Sequence, residues 1–567
     1  MDIKKHGCYH KNMSVADQIR PLIAGETIDD PEVLETYSKD ASIFKVTPKL
    51  VVFPKDSKDI CSMVAFCSQN SGFSLTPRAA GTCMSGGAIN DSLILDMTKY
   101  FNKIISVSEN SATAQPGVFY RDFEKETLKK GVLLPCYTSS RELNTVGGMV
   151  GNNSAGEKSL SYGQTERYVS KVKTILSDGN EYEFYPLDKE ALSKKCRQND
   201  FEGNLYKKIS ELVFNNLEAI RLAEPKTSKN STGYYLWKVW NGTVFDMSKL
   251  IVGSQGTLGI VTEIEFKLVK PHQYTAMLEI ELGNLDDLDQ IVSKVLEFTP
   301  ESFECFDDAT LKTSLKYLPD IEKEFKKIHG MAVYYKFIPF FVEMLMGQLP
   351  KLVLIAEFTS DNPEDAVEQA RKAQAGLAAM RINTRVVLSN DEEKYWIIRR
   401  NSFNVLRHHS GNKLRTAPFI DDIVVNPAVL PQFLPKLRAI LNEYKGKIIY
   451  TIAGHIGNGN FHIIPLMDFS DATVVEIIPE LSRKVFDLVI EYKGSIAAEH
   501  NDGMVRGIYL EKMYGAKITG LFSQVKDIFD PKNIFNPHKK INASYEFNDN
   551  HIDRSVAFKV DDYTAKK

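Results

Sequence analysis

Residues 77–87 read PRAAGTCMSGG, and this glycine-rich stretch lies between two short apolar runs, Phe73–Thr76 and Leu93–Asp96. Both runs have the length and composition of buried strands. An earlier apolar run, Leu50–Phe53, is followed by a helical pattern that begins after Asp56, a residue type that caps helices well. The stretch therefore follows a strand–helix–strand unit, and its loop can offer main-chain N–H groups to an anionic ligand.

Three further glycine-rich segments occur in the first 270 residues, namely Gln115–Val118, Thr145–Gly156 and Gly253–Gly259. None of the four has the form GxGxxG after a strand or GxxxxGK[ST], the two commonest nucleotide-binding motifs. One such loop alone is most simply a turn. Four of them in one region indicate a long ligand that carries phosphate groups, because glycine lets the main chain approach a ligand closely.

Composition excludes several classes of protein. A chain of 567 residues predicts two to four domains. Seventy Lys and Arg residues against 73 Asp and Glu residues give a formal charge of −3, which excludes a bulk electrostatic nucleic-acid binder. Seven Cys without metal spacing argue against a disulfide framework. The polar start of the chain predicts that there is no signal peptide. The lack of any run of about 20 apolar residues predicts that there is no transmembrane helix. We therefore expect a cytoplasmic protein.

The second half of the chain concentrates imidazole and carboxylate groups in two short motifs. His455 and His462 belong to GHIGNGNFH, where flanking apolar runs predict a hairpin, and Glu499-His500 belongs to AAEHNDG. Two His and one Glu suit zinc or manganese with one position open. Two His seven residues apart would by themselves be most simply structural.

Two more segments carry functional hypotheses. A predicted helix from Glu393 to Leu406 contains Arg399-Arg400, and a guanidinium group can bind both oxygens of a carboxylate. An exposed helical face is the simpler alternative, above all for Arg400. In the apolar segment 334–358, the second half predicts a buried strand. Its first half predicts either core packing or a short amphipathic helix on a membrane or partner surface.

The chain resembles the FAD-binding domain of the p-cresol methylhydroxylase and vanillyl-alcohol oxidase superfamily. The resemblance lies in the order of the glycine-rich motifs, together with Tyr162-Gly163 and the stretch GSQGTLGIVTE. GHIGNGNFH, AAEHNDG and FDPKNIFNP resemble the C-terminal domain of FAD-linked D-2-hydroxy-acid dehydrogenases. That family includes D-lactate dehydrogenases, D-2-hydroxyglutarate dehydrogenases and the glycolate oxidase flavoprotein subunit. The resemblance covers roughly residues 40–542. It implies an α+β protein with a two-subdomain FAD-binding domain and an α+β C-terminal cap domain.

On this basis the chain divides into five parts. They are an N-terminal segment (1–42), the FAD-binding domain (43–271), the substrate or cap domain (272–520), a C-terminal segment that returns to the FAD domain (521–545) and a mobile tail (546–567).

The resemblance places the FAD-binding residues in the glycine-rich loops and just beyond them. They are Arg78, Ala79, Ala80, Gly81, Thr82, Met84, Ser85, Gly86, Pro116, Gly117, Thr145, Gly147, Gly148, Asn152, Ser154, Ala155, Gly156, Tyr162, Gly256, Thr257, Gly259, Ile260 and Val261. Some members of the superfamily attach FAD through a histidine of this domain. None of the eleven histidines here lies between residues 11 and 271. We therefore expect noncovalent FAD, unless a Cys or Tyr forms the link.

The resemblance also assigns the chemistry of the second half. His455, His462 and Glu499 would hold a divalent metal, zinc or manganese, that contacts the substrate hydroxyl. His500 would be the general base, and Arg399 would bind the substrate carboxylate.

Some positions depart from the family pattern. Asn501 replaces a glycine, and Gln255 and Asn458 replace acidic residues. The lysine that follows the arginine in D-2-hydroxyglutarate dehydrogenases has no certain counterpart, because Lys413 and Arg415 straddle its place.

The implied reaction is oxidation of a small D-2-hydroxy acid, D-lactate first, to the 2-oxo acid with hydride transfer to flavin. An external acceptor (a quinone, a cytochrome or an electron-transfer flavoprotein) would take the electrons. Two alternatives are open: alkyl-dihydroxyacetone-phosphate synthesis on the same fold, and a noncatalytic FAD-binding subunit of a glycolate oxidase-like complex. No nucleic-acid partner is expected, whereas a homodimer and peripheral contact with the inner face of the membrane are options.

Overall fold

The computed structural model describes residues 13–316, 318–322, 331–388, 391–409 and 414–555. Within these ranges the strands are β1 (Glu26–Ile28), β2 (Leu50–Phe53), β3 (Leu75–Arg78), β4 (Leu93–Asp96), β5 (Ile104–Val107), β6 (Ser111–Ala114), β7 (Val169–Ile175), β8 (Glu181–Phe184), β9 (Ile260–Lys267), β10 (Tyr274–Leu282), β11 (Ser302–Asp307), β12 (Leu352–Ser360), β13 (Asn383–Leu388), β14 (Leu414–Thr416), β15 (Ile423–Val424), β16 (Ile452–His455), β17 (Asn460–Ile463) and β18 (Leu466–Asp468).

The α-helices of the same ranges are Val15–Ile19, Pro31–Tyr37, Ser57–Gln69, Tyr120–Leu128, Val146–Asn152, Ser159–Tyr162, Lys189–Cys196, Phe201–Asn215, Leu217–Ala223, Leu236–Val239, Ser248–Ile251, Leu288–Leu296, Asp308–Lys316, Leu318–Ile321, Met331–Leu345, Pro363–Gly376, Glu392–His409, Leu430–Asn442, Ala472–Val475, Ile477–Glu491, Gly503–Gly507, Leu510–Phe529 and Tyr545–Asn550.

The first half of the chain contains two sheets. One has the order β1-β2-β4-β3, with β2 and β3 parallel to β4, and the other is an antiparallel sheet of order β5-β6-β9-β7-β8. The helix Ser57–Gln69 connects β2 to β3, and the Asp56 carboxylate caps it by accepting bonds from two main-chain N–H groups. The predicted strand–helix–strand unit is therefore confirmed, and the PRAAGTCMSGG loop begins at the carboxyl end of β3.

One short apolar run has a conformation that its composition does not indicate. The run Leu250–Val252 predicts a strand, but Ser248–Ile251 is a helical turn. The Asp246 carboxylate accepts bonds from both the main-chain N–H and the hydroxyl of Ser248, and these bonds start the turn. A run of only three apolar residues does not distinguish the two structures, because its periodicity is too short to read.

The second half is built on a seven-stranded sheet of order β13-β10-β12-β11-β16-β17-β15, in which every pairing is antiparallel. Strand β12 is buried along residues 352–358, as the sequence predicts. Helices that include Leu288–Leu296, Pro363–Gly376 and Leu430–Asn442 contribute apolar side chains to the larger core on this sheet.

The helix Met331–Leu345 has two apolar faces. Val333, Phe337 and Phe340 are buried in a core that also contains side chains of β12. Five large apolar side chains on the other face are exposed, namely Met331, Tyr335, Ile338, Val342 and Leu345. Core packing and an exposed apolar surface thus both occur in this segment. No helix among the described residues is long and apolar enough to cross a bilayer.

The end of the described chain returns to the first half. Five apolar residues of the helix Leu510–Phe529, from Ile518 onward, join the core on the five-stranded sheet, and Phe535 pairs with Leu75 of β3. Residues 545–550 form a helix, and Asp553 makes an ion pair with Arg415 at 3.1 Å. The predicted tail is therefore wrong for residues 546–555, while residues 1–12 and 556–567 lie outside the described ranges.

Candidate active site

The four glycine-rich segments lie side by side. The N–H of Gly147 donates to the carbonyl of Pro116 at 2.9 Å, and the N–H of Gln255 donates to the carbonyl of Gly151 at 2.9 Å. These contacts join three segments that are far apart in sequence. They give a continuous surface of loops of the kind that the sequence predicts for FAD.

The side chain of Gln255 links these loops to the fourth segment and to the AAEHNDG motif. Its amide nitrogen donates to Asn152 Oδ1 (3.1 Å) and to Ser85 Oγ (3.3 Å), while its oxygen accepts from the N–H of Gly503 (2.8 Å). A carboxylate has no donor, so the family's acidic residue could not make this set of bonds. Gln255 therefore lacks the negative charge of the family's acidic residue, but its side chain forms hydrogen bonds that connect the loops.

Asn501 occupies the family's glycine position and has the left-handed backbone (φ 63°) that Asn tolerates better than most residues. Its amide donates to the carbonyls of Asn152 (3.0 Å) and Gly253 (2.9 Å). The turn therefore keeps its conformation, and the side chain ties it to the glycine-rich loops.

Several predicted FAD-binding side chains already have partners within the protein. Arg78 donates to three main-chain carbonyls between 2.8 and 3.3 Å away. Thr257 Oγ1 donates to the carbonyl of Ser254 (2.7 Å), and Thr145 Oγ1 accepts from the N–H of Gly148 (3.2 Å). These side chains shape the loops, so what the loops offer a ligand is mainly their main chain.

Two other predicted residues lie at the edges of this surface. The Tyr162 hydroxyl donates to Glu301 of the second half at 3.0 Å, which places it where the two halves meet. The Ile260 side chain is buried in the apolar core under β4, so its contribution to a ligand would come from the main chain.

His455 and His462 project from one hairpin. Its first strand, β16, lies three to five residues beyond the predicted run Lys447–Ile452, whereas β17 overlaps the predicted run Phe461–Pro465. His462 pairs with Ala453, two residues before His455, so the two imidazoles lie on the same face. Gly459 closes the turn with φ 69°, and a Cβ atom there would overlap the carbonyl oxygen of Val425. The turn therefore requires glycine.

Glu499 brings the histidines together. Its Oε1 lies 3.4 Å from His455 Nε2, 3.3 Å from His462 Nε2 and 3.8 Å from His500 Nε2. The carboxylate of Asp422 holds this segment by accepting from the N–H groups of Glu499 (2.9 Å) and His500 (2.7 Å). Candidate ligand atoms of Asp422, His462, Glu499 and His500 all lie within 4.8 Å of one another.

The second nitrogen of each imidazole faces a buried carboxylate. His455 Nδ1 lies 2.6 Å from Glu304 Oε1, and the Nδ1 atoms of His462 and His500 lie 3.2 and 2.7 Å from the two oxygens of Asp421. A carboxylate on Nδ1 fixes the tautomer and directs Nε2 to the centre, the arrangement typical of metal-binding histidines. The donor set therefore fits a divalent cation.

Two pKa shifts describe the charges at the centre. Burial would lower the pKa of His462, but the charge of Asp421 and bonds to Asp421 and Glu499 raise that pKa to about 10. Burial would raise the pKa of Glu499, yet the Lys229 ammonium and then the His455 imidazole hold that pKa well below its usual range. These shifts favour a proton on His462 and an ionised Glu499, so a divalent cation would have to displace that proton from the imidazole.

Arg399 contacts Glu304, a residue that sequence reasoning did not identify, and Glu304 in turn contacts His455. The Arg399 Nε donates to Glu304 Oε2 at 3.0 Å, and the other oxygen of Glu304 contacts His455. Arg400 instead binds both oxygens of Glu157 from the first half (3.0 and 2.6 Å). Arg399 therefore lies next to the histidine cluster, whereas Arg400 links the two halves.

Of the two candidates for a second carboxylate-binding residue, the structure describes Arg415 alone, and Arg415 is bound elsewhere. Arg415 makes its ion pair with Asp553 and donates to main-chain carbonyls of Asp553 and Ser555. Lys413 lies outside the described residues.

Sequence reasoning missed Glu304, Asp421, Asp422 and Lys229. A usable signal existed for Glu304, which lies in the fully buried strand β11, where an acidic side chain requires a partner.

Family comparisons agree with this architecture. Residues 48–185 match the family described as FAD binding domain, and residues 271–540 match FAD linked oxidases, C-terminal domain. A solved p-cresol methylhydroxylase superposes with a TM-score of 0.66 at 13% identity, covering 93% of this chain and 96% of that one. An alkyldihydroxyacetonephosphate synthase gives 0.60 at 18% identity, covering 90% and 83%. The chain has the two-domain fold of p-cresol methylhydroxylase, which confirms the predicted fold.

Proteins of three kinds are similar to most of this chain. The D-2-hydroxyglutarate dehydrogenase of Pseudomonas putida is 26% identical over 91% of this chain and 50% of its own length, so this chain spans about half of that relative. Glycolate oxidase subunit GlcD of Bacillus subtilis is 26% identical over 93% of this chain and 96% of its own. D-lactate dehydrogenase of Anaerostipes hadrus is 24% identical over 92% and 94%. Over most of its length the chain is therefore similar to these three kinds of protein, as the motifs predict.

Proposed function

We propose that the protein is an FAD-dependent dehydrogenase that oxidises a D-2-hydroxy acid to the 2-oxo acid. The observation that supports this best is the convergence of three imidazole Nε2 atoms on Glu499 Oε1, in a segment tied by Gln255 and Asn501 to the glycine-rich loops. A hydroxyl group at that centre would lie beside the surface proposed for FAD. When bound, FAD supplies the acceptor for the hydride from the substrate α-carbon.

The residues at the centre divide into cation ligands and a base. His455, His462 and Glu499 would hold zinc or manganese, and a bound cation supplies a Lewis acid that polarises the substrate hydroxyl. His500 Nε2 is the farthest of the three from Glu499 Oε1, and Asp421 lies on its Nδ1. His500 Nε2 accepts the hydroxyl proton, and Asp421 stabilises the imidazolium that forms.

Arg399 would bind the substrate carboxylate. The bond from its Nε to Glu304 orients the guanidinium plane, and Glu304 places it next to His455. Since Arg415 is held by Asp553, only one carboxylate-binding arginine of the two is directed to the site. We take D-lactate as the first substrate to test, because Arg399 can bind its single carboxylate, and Lys413 lies outside the described residues.

No structural observation favours the two alternative functions. Gln255, Asn501 and Asn458 replace family residues, yet each makes side-chain hydrogen bonds here, so the replacements do not dismantle the site. The likeness to the alkyldihydroxyacetonephosphate synthase concerns the fold alone.

The protein should be yellow and should release its FAD into solution on acid or heat treatment. No histidine lies between residues 11 and 271, the part of the chain that contains the glycine-rich loops. Burial raises the pKa of the Cys83 thiol and of the Tyr162 hydroxyl. A thiol or phenol kept protonated is a poor nucleophile for a covalent link. Absorbance of the supernatant after precipitation measures the released flavin. Flavin that stays with the precipitate would contradict noncovalent binding.

A panel of D- and L-2-hydroxy acids with an artificial electron acceptor tests the function. D-lactate, D-2-hydroxyglutarate and glycolate should be compared at equal concentration, each chiral acid beside its L-enantiomer. Arg399 and the cation would hold two substituents of the α-carbon, so one enantiomer alone presents its hydrogen to the flavin. The family resemblance implies that this enantiomer is the D form, which should be strongly preferred. Absence of anaerobic flavin bleaching by every acid would favour a noncatalytic FAD-binding subunit.

A further inference from the structure

Lys229 lies inside the site, yet the proposed reaction gives it no part. Its side chain is fully buried, and its Nζ lies 2.9 Å from Glu499 Oε2 and 3.3 Å from Asn460 Oδ1. Burying an ammonium group is strongly unfavourable unless it is paired and hydrogen-bonded. The position of Lys229 is therefore tied to the carboxylate of Glu499.

The chain around Lys229 fixes where its ammonium group lies. Ser228 Oγ donates to the carbonyl of Asn458 at 3.0 Å, and the N–H of Ser231 donates to the carbonyl of Ala497 at 3.0 Å. The segment 228–231 of the first half is thus bound to both motifs of the second half, GHIGNGNFH and AAEHNDG. When the two halves fold together, the Lys229 ammonium group therefore lies against one oxygen of Glu499, Oε2.

The two oxygens of Glu499 have different surroundings. Oε2 contacts the Lys229 ammonium, whereas Oε1 faces His455, His462 and His500. A carboxylate without such an anchor could rotate and offer both oxygens to a cation or neither. The anchor leaves a single oxygen for the cation and one more coordination position for a substrate oxygen.

We propose that Lys229 is a positioning residue that holds Glu499 as a one-oxygen ligand for the divalent cation. This inference rests on the proposed function, because it presupposes that the site binds a metal. Lys229 touches neither substrate nor cofactor in this role and acts through Glu499 alone.

Zinc affinity of the full-length, FAD-loaded protein tests the proposal. Lys229→Met should weaken Zn²⁺ binding about 10- to 100-fold, the usual effect of removing a group that orients a metal ligand. Lys249→Met is the matched control, because it makes the same change at a largely buried ion pair, that of Lys249 with Glu166, and leaves Lys229 on Glu499. Its Zn²⁺ affinity should equal that of the unaltered protein. Competition with a coloured chelator gives the affinities, and flavin content and thermal unfolding show whether each variant is folded.

A double-mutant cycle separates positioning from general stability. If Lys229 acts through Glu499, then Lys229→Met should add little further loss in a Glu499→Gln background, so the two effects should not add. Additive losses, or an unaltered affinity in Lys229→Met, would overturn the role of Lys229 while leaving the metal site intact. If the unaltered protein binds no Zn²⁺, the proposed metal site fails and the role of Lys229 fails with it.

A second variant covers the case in which Lys229→Met does not fold. Lys229→Gln keeps a hydrogen-bond donor without the charge, and its Zn²⁺ affinity should fall between those of the unaltered protein and Glu499→Gln. Affinity equal to the unaltered protein would overturn the need for an ammonium group at this position.

Discussion

Removal of the divalent metal from the FAD-loaded protein should abolish reduction of the flavin by D-lactate while FAD stays bound. The imidazoles of His455 and His462 and the carboxylate of Glu499 form the centre at which a cation would polarise the substrate hydroxyl. The glycine-rich loops do not depend on that centre for their contacts with one another, since Gly147 and Gln255 bond to loop carbonyls. Flavin absorbance under anaerobic conditions measures the reduction, and elemental analysis verifies that the metal is absent.

Adding metals back provides the control. Zinc or manganese should restore reduction, whereas magnesium should not, because it prefers an all-oxygen set of ligands and this centre is rich in imidazole nitrogen. Full reduction in protein verified to be free of metal would show that His455, His462 and Glu499 have a structural role.

The elements that sequence reasoning located are those whose signal is local. The hairpin of His455 and His462 follows from two apolar runs around a Gly-Asn-Gly turn, and its glycine at position 459 is required by a positive φ and by a close carbonyl. The four glycine-rich loops were likewise visible from composition. Their convergence was an inference from family resemblance, and the contacts of Gln255 now show how it is achieved.

The carboxylates around the histidines could not be found in this way. Glu304 lies 151 residues before His455 in the chain, and Lys229 lies 270 residues before Glu499. No motif connects such pairs, and the fold alone brings them together. The only general signal is a charged side chain in a buried segment, which requires a partner but does not identify it.

The same limit explains one of the two wrong predictions. Residues 546–555 contain few apolar side chains, so composition predicts a tail, but they are held by specific bonds such as the ion pair of Asp553 with Arg415. The run at Leu250 has a local cause instead: hydrophobicity indicates a strand, but the Asp246 carboxylate accepts two bonds from Ser248, two residues later, and these bonds start a helical turn.

His500→Ala should lower turnover about 100-fold or more, the usual range for loss of a general base, with FAD and metal content unchanged. Its Nε2 faces the centre, and the Asp421 carboxylate lies 2.7 Å from its Nδ1, so the imidazole is oriented to take a proton and stabilised once it has done so. The surface residue His272, paired with exposed Asp361, provides the matched control, and His272→Ala should leave turnover unaltered.

Asp421→Asn refines the assignment, because it keeps the side chain's shape but removes the charge that stabilises the imidazolium. It should also lower turnover, and combining it with His500→Ala should cost little more than His500→Ala alone, since Asp421 would assist the base only through His500. Asp421 also contacts His462 through its other oxygen, so the metal content of each variant must be measured beside its rate. Turnover of His500→Ala equal to that of the unaltered protein, at equal flavin and metal content, would end the general-base assignment and leave His500 as a fourth ligand candidate.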